Sequence, residues 1–74
     1  MQEDSFKIRA MGFGELAQMY SPDVQVNSAR FLLRSWINRH PLLKSELYES
    51  GYKKGQRILL PVQVGIIVKH IGEP

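Results

Sequence analysis

The sequence predicts one mainly helical α+β domain with about four helices and a minimal two-stranded sheet. Its 74 residues are the size of a single small domain, and 43% of them are apolar. Apolar residues recur at helical spacing along most of the chain, whereas only two short stretches have strand character. We expect the domain to span residues 1–74, with residues 1–5 as a flexible N-terminus.

The first predicted elements are a strand and a short helix. In Phe6–Ala10 every second residue is apolar, which is typical of a half-exposed strand. Gly12 and Gly14 interrupt this alternation, and a helix is predicted over Glu15–Tyr20. The apolar face of that helix is predicted to contain Leu16, Met19 and Tyr20.

The second helix has the clearest amphipathic pattern. Pro22 ends the preceding helix, and the new one is predicted to begin between Gln25 and Ser28, with Asn27 or Ser28 as its cap, and to run to about Arg39. We interpret Trp36 as its anchor in the core. The predicted apolar face contains Ala29, Leu32, Leu33, Trp36 and Ile37, and the opposite side contains Arg30, Arg34 and Asn38.

The C-terminal half is predicted to contain two more helices and a second strand. Pro41 is suited to open the third helix, and Gly51 to end it in a left-handed conformation. A strand is predicted over Arg57–Leu60, and a last helix between Pro61 and Gly72. The predicted inward residues of the two helices are Leu42, Leu43, Leu47, Val62, Val64, Ile67, Val68 and Ile71.

The stretch Gly12 to Ala17 has the order of a dinucleotide-binding turn, G-x-G-x-x-A between strand and helix. Such a turn belongs to a βαβ unit with an acidic residue about 20 positions later. Here the next acid after Asp23 is Glu46, and a helix around Trp36 occupies the place of the second strand. We therefore predict that Gly12 and Gly14 form only a tight strand-to-helix turn.

Composition argues against several function classes. The absence of cysteine excludes disulfides, thiolate zinc sites and thiol chemistry. His40 and His70 are far apart in sequence, so we interpret them as surface or capping residues and predict no metal site. The sequence contains no histidine in a local pattern with serine and an acid, and no pair of carboxylates at helical spacing in an apolar setting. We therefore expect no enzyme activity, no cofactor and no small-molecule substrate.

The sequence also lacks the features of an exported or membrane protein. Its first residues are acidic and contain no apolar signal region. The most apolar stretch, Ile58–Val68, is about half the length of a membrane span. We therefore expect a cytoplasmic protein with no membrane partner. Its net charge of +3 is compatible with an anionic partner without requiring one.

Two clusters of basic residues are candidates for nucleic-acid contact. Arg30, Arg34 and Asn38 follow each other at helical spacing, and arginine and asparagine are the side chains that pair with guanine and adenine. Lys53, Lys54 and Arg57 surround a glycine-containing turn and suit phosphate contact. The same patterns are typical of a solvated helix face and a soluble turn, and the sequence leaves both interpretations open.

The order of motifs resembles a family of small uncharacterised bacterial proteins common in Bacteroidales. The resemblance covers nearly the whole chain and implies a domain of unknown function. It rests on the segments Gly14-Glu15-Leu16-Ala17, Pro22-Asp23, Trp36-Ile37, Gly51-Tyr52 and Gly72-Glu73-Pro74.

More loosely, the chain is similar to the winged helix-turn-helix of MerR-type regulators and phage excisionases. Glu15-Leu16-Ala17, an arginine-bearing second helix from Asn27 to Arg39, and Gly51-Tyr52 before a final helix carry this likeness. It implies that the second helix enters the major groove and that the wing contacts the DNA backbone. The likeness implies Arg30 and Arg34 as groove-facing residues, and Lys53, Lys54 and Arg57 as wing contacts. With the two asparagines of the same helix, the candidate DNA-binding residues are Asn27, Arg30, Arg34, Asn38, Lys53, Lys54 and Arg57. The turn between the first two helices, Ser21 to Val26, is longer than the 3–4 residues of that motif.

We therefore expect a DNA-binding accessory or regulatory protein that contacts duplex DNA through an arginine-bearing helix and a basic wing. A small module binds weakly alone, so a homodimer or a protein partner is expected. The alternative is a protein-interaction adaptor on the same fold, with Ile58–Val68 and Tyr52 as its apolar patch.

Overall fold

The computed structural model describes residues 6–74, and the flexible segment expected at residues 1–5 lies outside that range. Four helices and a two-stranded antiparallel sheet confirm the predicted fold class. The elements in chain order are β1 (Met11–Gly12), α1 (Phe13–Tyr20), α2 (Val26–Asn38), α3 (Pro41–Glu49), β2 (Ile58–Leu59) and α4 (Pro61–Ile71).

The sheet is shorter than predicted, and its first strand lies later in the chain. The strand prediction for Phe6–Ala10 is wrong, because the pairing joins Met11 to Leu59 and Gly12 to Ile58. In this antiparallel register the ladder would next reach Leu60 and Pro61. Proline has no N–H to donate, and Pro61 already opens α4, so the pairing ends there.

Most helix ends agree with the sequence, but the cap of α2 does not. Gly51 and Gly72 follow α3 and α4 with φ of 99° and 107°, in the left-handed region that favours glycine. Gln25, rather than Asn27 or Ser28, precedes α2, and its carbonyl accepts the first helical hydrogen bond from Ala29 at 2.9 Å. Within residues 6–74, no helix has the length and apolar character needed to cross a membrane.

One apolar core joins all six elements. Three side chains predicted to face it, Met19, Leu42 and Val62, are instead exposed, because each lies beside the narrow buried stripe of its helix. Trp36 is only partly buried and packs against the core. The buried apolar residues are Met11, Phe13, Leu16, Ala17, Ala29, Leu33, Ile37, Leu43, Leu47, Tyr52, Leu59, Val64 and Ile67.

A buried glutamine fixes the segment between α3 and β2, residues 50–57, which we call the basic loop. The Oε1 atom of Gln63 accepts hydrogen bonds from Leu60 N at 2.9 Å and from Gln56 Nε2 at 2.7 Å. Gln56 in turn accepts from Lys53 N at 3.1 Å and donates to the Ile58 carbonyl at 2.7 Å. These bonds attach the loop to the first turn of α4 and hold it beside the sheet.

Candidate nucleic-acid interface

Three arginines converge on the short segment Gly12–Gly14, where β1 passes into α1. The Nε atom of Arg30 lies 2.9 Å from the position that a Cβ atom on Gly14 would occupy. The guanidinium carbon of Arg34 stands 5.5 Å from the centre of the Phe13 ring, a cation–π distance. The carbonyl of Arg57 accepts a hydrogen bond from Phe13 N at 2.7 Å. The turn is therefore surrounded by residues from α2 and from the basic loop.

The spacing of α2 explains why two of these arginines meet α1. Arg30 and Arg34 each follow a buried residue, Ala29 and Leu33, and so lie about 100° around the helix from the buried stripe. They therefore lie beside the buried stripe and contact α1. The prediction that they lie on the opposite side of α2 from its apolar face is wrong. Asn27 contributes too, because its Oδ1 atom accepts a 2.8 Å hydrogen bond from Arg30 Nη1.

The three arginines and the turn form a concavity of about 530 Å³, which we call the arginine groove. Residues from α1, α2 and the basic loop form its walls, and Arg30, Arg34 and Arg57 supply its positive charge. A smaller concavity of about 230 Å³ adjoins it, lined by Asn38, Lys44 and Lys54 among others. Arg34 lines both concavities, so the two form one continuous basic surface.

The acidic side chains of the described residues do not pair with the cations of this surface. Within residues 6–74, the basic residues of the two concavities make no ion pair shorter than 4.0 Å. Glu15 lines the arginine groove, but its Oε2 atom is 2.9 Å from Arg9 Nη2. This hydrogen bond, together with one from Gly12 N, lowers the pKa of Glu15. The arginine groove therefore keeps an excess of positive charge.

The structure brings together six of the seven candidate residues. Asn27, Arg30, Arg34 and Arg57 belong to the arginine groove or to its hydrogen bonds, and all are exposed. Asn38 and Lys54 line the smaller concavity. Lys53 is exposed on the basic loop and lines neither of the two.

Sequence reasoning missed Lys44, which lines the smaller concavity with Arg34. The local sequence gives no signal for it, because Lys44 lies on α3 and reaches this surface only through the packing of α3 beside α2. Phe31 is also on the accessible side of α2, with 66% of its surface exposed.

The histidines lie away from this surface. His40 caps α3, since its Nδ1 atom accepts a hydrogen bond from Leu43 N at 3.3 Å, as its interpretation as a capping residue implied. His70 Nε2 lies 3.1 Å from an oxygen of Glu46, and Lys69 Nζ lies 3.3 Å from the same atom. In the described part of the chain no three His, Cys, Asp or Glu residues form a potential metal site.

Compared with known proteins, the chain matches one family model over residues 7–74, described as Domain of unknown function (DUF4248). No curated protein and no solved structure gives a significant match. The family match covers nearly the whole sequence and agrees with the resemblance to a family without an assigned function. The chain therefore belongs to the DUF4248 family.

Proposed function

We propose that this protein binds duplex DNA as an accessory or regulatory protein of the cytoplasm, without a cofactor and without catalysis. The observation that carries the proposal is the continuous basic surface in which Arg34 joins the arginine groove to the smaller concavity. Arg30, Arg34 and Asn38 are the proposed helix contacts. Lys53, Lys54 and Arg57 are the proposed backbone contacts.

Two further points support this function. The surface gathers cations from α2, α3 and the basic loop on one side of the molecule, so several phosphates of one duplex are within reach together. The loose likeness to MerR-type regulators and excisionases also implies that this helix and this loop contact DNA. Because one small module buries limited surface, we propose that a second copy or a partner protein supplies the remaining affinity.

The test compares duplex binding by the parent and by the double variant Arg30→Ala, Arg34→Ala at several salt concentrations. We expect the double variant to bind duplex more weakly than the parent at every salt concentration. The slope of log K against log salt should become shallower by about one unit for each phosphate contact that is lost, and should stay the same where only base contacts are lost. The control is Lys7→Ala, Lys69→Ala, which removes the same charge from residues outside both concavities.

The control should bind within about threefold of the parent, since distant exposed charges are largely screened in salt. Equal binding by the arginine double variant and the parent would contradict the proposed interface. Circular dichroism of each variant establishes that the fold is intact.

One observation favours a second candidate, a protein-interaction adaptor. Ile58, Leu60 and Val62 are 59%, 51% and 56% exposed, an unusual run of apolar side chains beside a sheet edge. Tyr52, which was expected to join this patch, is instead 7% exposed and belongs to the core. Under this hypothesis, Ile58→Lys disrupts an association seen by size-exclusion chromatography, whereas the arginine double variant leaves it intact.

A further inference from the structure

The arginine groove is a concavity lined by three arginines and by the segment Gly12–Gly14. The guanidinium groups of Arg30 and Arg34 lie against Gly14 and Phe13 of this segment. Arginine carries a planar fork of N–H donors that matches the oxygens of a phosphate group. We propose that this groove is a seat for one phosphate group, held by Arg30, Arg34 and Arg57. In the context of the proposed function, on which this part of the inference rests, the group is a backbone phosphodiester of DNA.

Contacts within the protein hold two of the three arginines in place before any ligand binds. Arg30 donates to Asn27 Oδ1 and lies against Gly14, where a larger residue would displace it. The Arg34 guanidinium group lies over the Phe13 ring and donates no hydrogen bond to another described residue. A side chain that is already oriented loses less conformational entropy on binding, so such a seat gains affinity from its preorganisation.

The seat differs from a glycine-rich nucleotide cradle, in which backbone N–H groups hold the phosphate. Here Gly12 N donates to Glu15 Oε1 at 3.3 Å, and Phe13 N donates to the Arg57 carbonyl at 2.7 Å. These two backbone groups are therefore occupied, and the donors that we propose are side chains. Gly14 contributes by its small size, because it allows Arg30 to approach the start of α1.

Among the described residues that line the groove, Glu15 is the one carboxylate, and its charge bears on which ligand the groove can hold. Its oxygens already accept from Arg9 and from Gly12 N, so little of its charge is left to repel a phosphate. Three arginines remain for the ligand, which favours a phosphate over a neutral group or a cation.

The seat also changes the expected role of Arg30. A phosphate contact carries no sequence information, whereas a contact to a base edge does. Arg30 variants should therefore weaken binding to all duplex sequences alike. Sequence preference, where present, would come from the side chains of the smaller concavity, such as Asn38.

The test is a titration of the 74-residue chain with inorganic phosphate, followed by the amide NMR signals of Phe13 and Gly14. We expect saturable shifts at these residues. Arg30→Gln should weaken the phosphate affinity by about tenfold, the loss of one strong charge-assisted contact. Lys7→Gln is the matched control and should leave it unchanged. Absence of saturable shifts at Phe13 and Gly14, or equal phosphate affinity in Arg30→Gln and the parent, would overturn the seat.

Two further probes identify the source of the phosphate and separate this inference from the proposed function. A short duplex that shifts the same signals and competes with inorganic phosphate supports a DNA backbone phosphate. Saturable binding of phosphate or a mononucleotide without duplex binding would retain the seat and overturn DNA binding. Duplex binding that leaves Gly14 unshifted and is equal in Arg30→Gln would retain DNA binding and overturn the seat.

Discussion

Arg30 and Gly14 are in close contact across the α1–α2 interface. The Nε atom of Arg30 and a Cγ atom of Val26 lie 2.9 Å and 3.0 Å from the position of a Cβ atom on Gly14. The glycine is therefore required by its neighbours rather than by its backbone angles, since its φ is not in the left-handed region. The same contact fixes the direction of the arginine and shapes the arginine groove.

This contact predicts opposite effects for two glycine-to-alanine substitutions. At Gly65, in the interior of α4, an added Cβ atom would meet no described residue except Ile8, at 3.8 Å. Gly65→Ala should therefore stabilise the fold by roughly 0.5–1 kcal/mol, because alanine favours a helix. Gly14→Ala should be destabilising by about 1 kcal/mol, because overpacking against Val26 outweighs the same gain. Chemical denaturation measures both, and an equal stabilisation by the two would contradict the close contact.

Because the side-chain amide of Gln63 is buried, we expect the nearly isosteric substitution Gln63→Leu to lower the free energy of unfolding substantially. Gln63 is 1% exposed and satisfies Leu60 N and Gln56 Nε2. Gln63→Leu leaves these donors without an acceptor and should cost about 1–3 kcal/mol of unfolding free energy.

Ser50→Ala is the comparison for Gln63→Leu. It removes the longer 3.4 Å contact to Gln63 Nε2 and the hydrogen bond that Ser50 Oγ donates to the Leu47 carbonyl, but it leaves both hydrogen bonds to Gln63 Oε1 in place. We expect it to cost less than Gln63→Leu in the same urea denaturation experiment. The reverse order would show that the basic loop does not depend on the glutamine.

Glu46 is expected to account for part of the loss of stability of the fold in acid. Hydrogen bonds from His70 and Lys69 lower the pKa of Glu46 below its ordinary value of 4.5. A carboxyl whose pKa is lower in the folded state adds stability above about pH 4.5 and loses it as the pH falls through the folded pKa. Glu46→Gln should therefore show a smaller decrease in Tm than the parent between about pH 5 and about pH 3.

Glu49→Gln is the control for the acid experiment. Glu49 is exposed on the same helix and makes no ion pair among the described residues. The Glu49→Gln variant should have the same dependence of Tm on pH as the parent. If Glu46→Gln also had the same dependence as the parent, the predicted contribution of Glu46 to stability would be contradicted.

Ionisation of the Tyr20 hydroxyl is expected to destabilise the fold at high pH. Burial and the Glu73 carboxylate raise its pKa from 10.0 to about 12, and its hydroxyl donates to the Gly72 carbonyl. The protonated Tyr20 hydroxyl makes its full contribution to the stability of the fold below about pH 10, and this contribution is lost as the pH rises toward 12. Tyr20→Phe should therefore lose less Tm than the parent over this interval, measured by circular dichroism. Tyr48→Phe, at an exposed position, should lose as much as the parent.

The sequence by itself determined the helices and most of their ends. Local signals suffice there, because Pro41 and Pro61 open helices and Gly51 and Gly72 end them. Apolar spacing identifies most of the buried residues but also selects the exposed Met19, Leu42 and Val62. The sequence also predicted that Gly12 and Gly14 form a tight strand-to-helix turn, and the structure has β1 passing into α1 there. The strand β1 pairs with β2 antiparallel, whereas the strands of a dinucleotide-binding βαβ unit are parallel.

Only the tertiary structure decided where the short strands pair and which charges meet. Strand pairing depends on a partner distant in sequence, so the alternation of Phe6–Ala10 could not show that the ladder lies at Met11–Gly12. Arg57 and Lys44 join the basic surface through the packing of the loop and α3 against α1 and α2. A helical pattern specifies which side chains share a face of one helix, but it does not specify which other element that face meets.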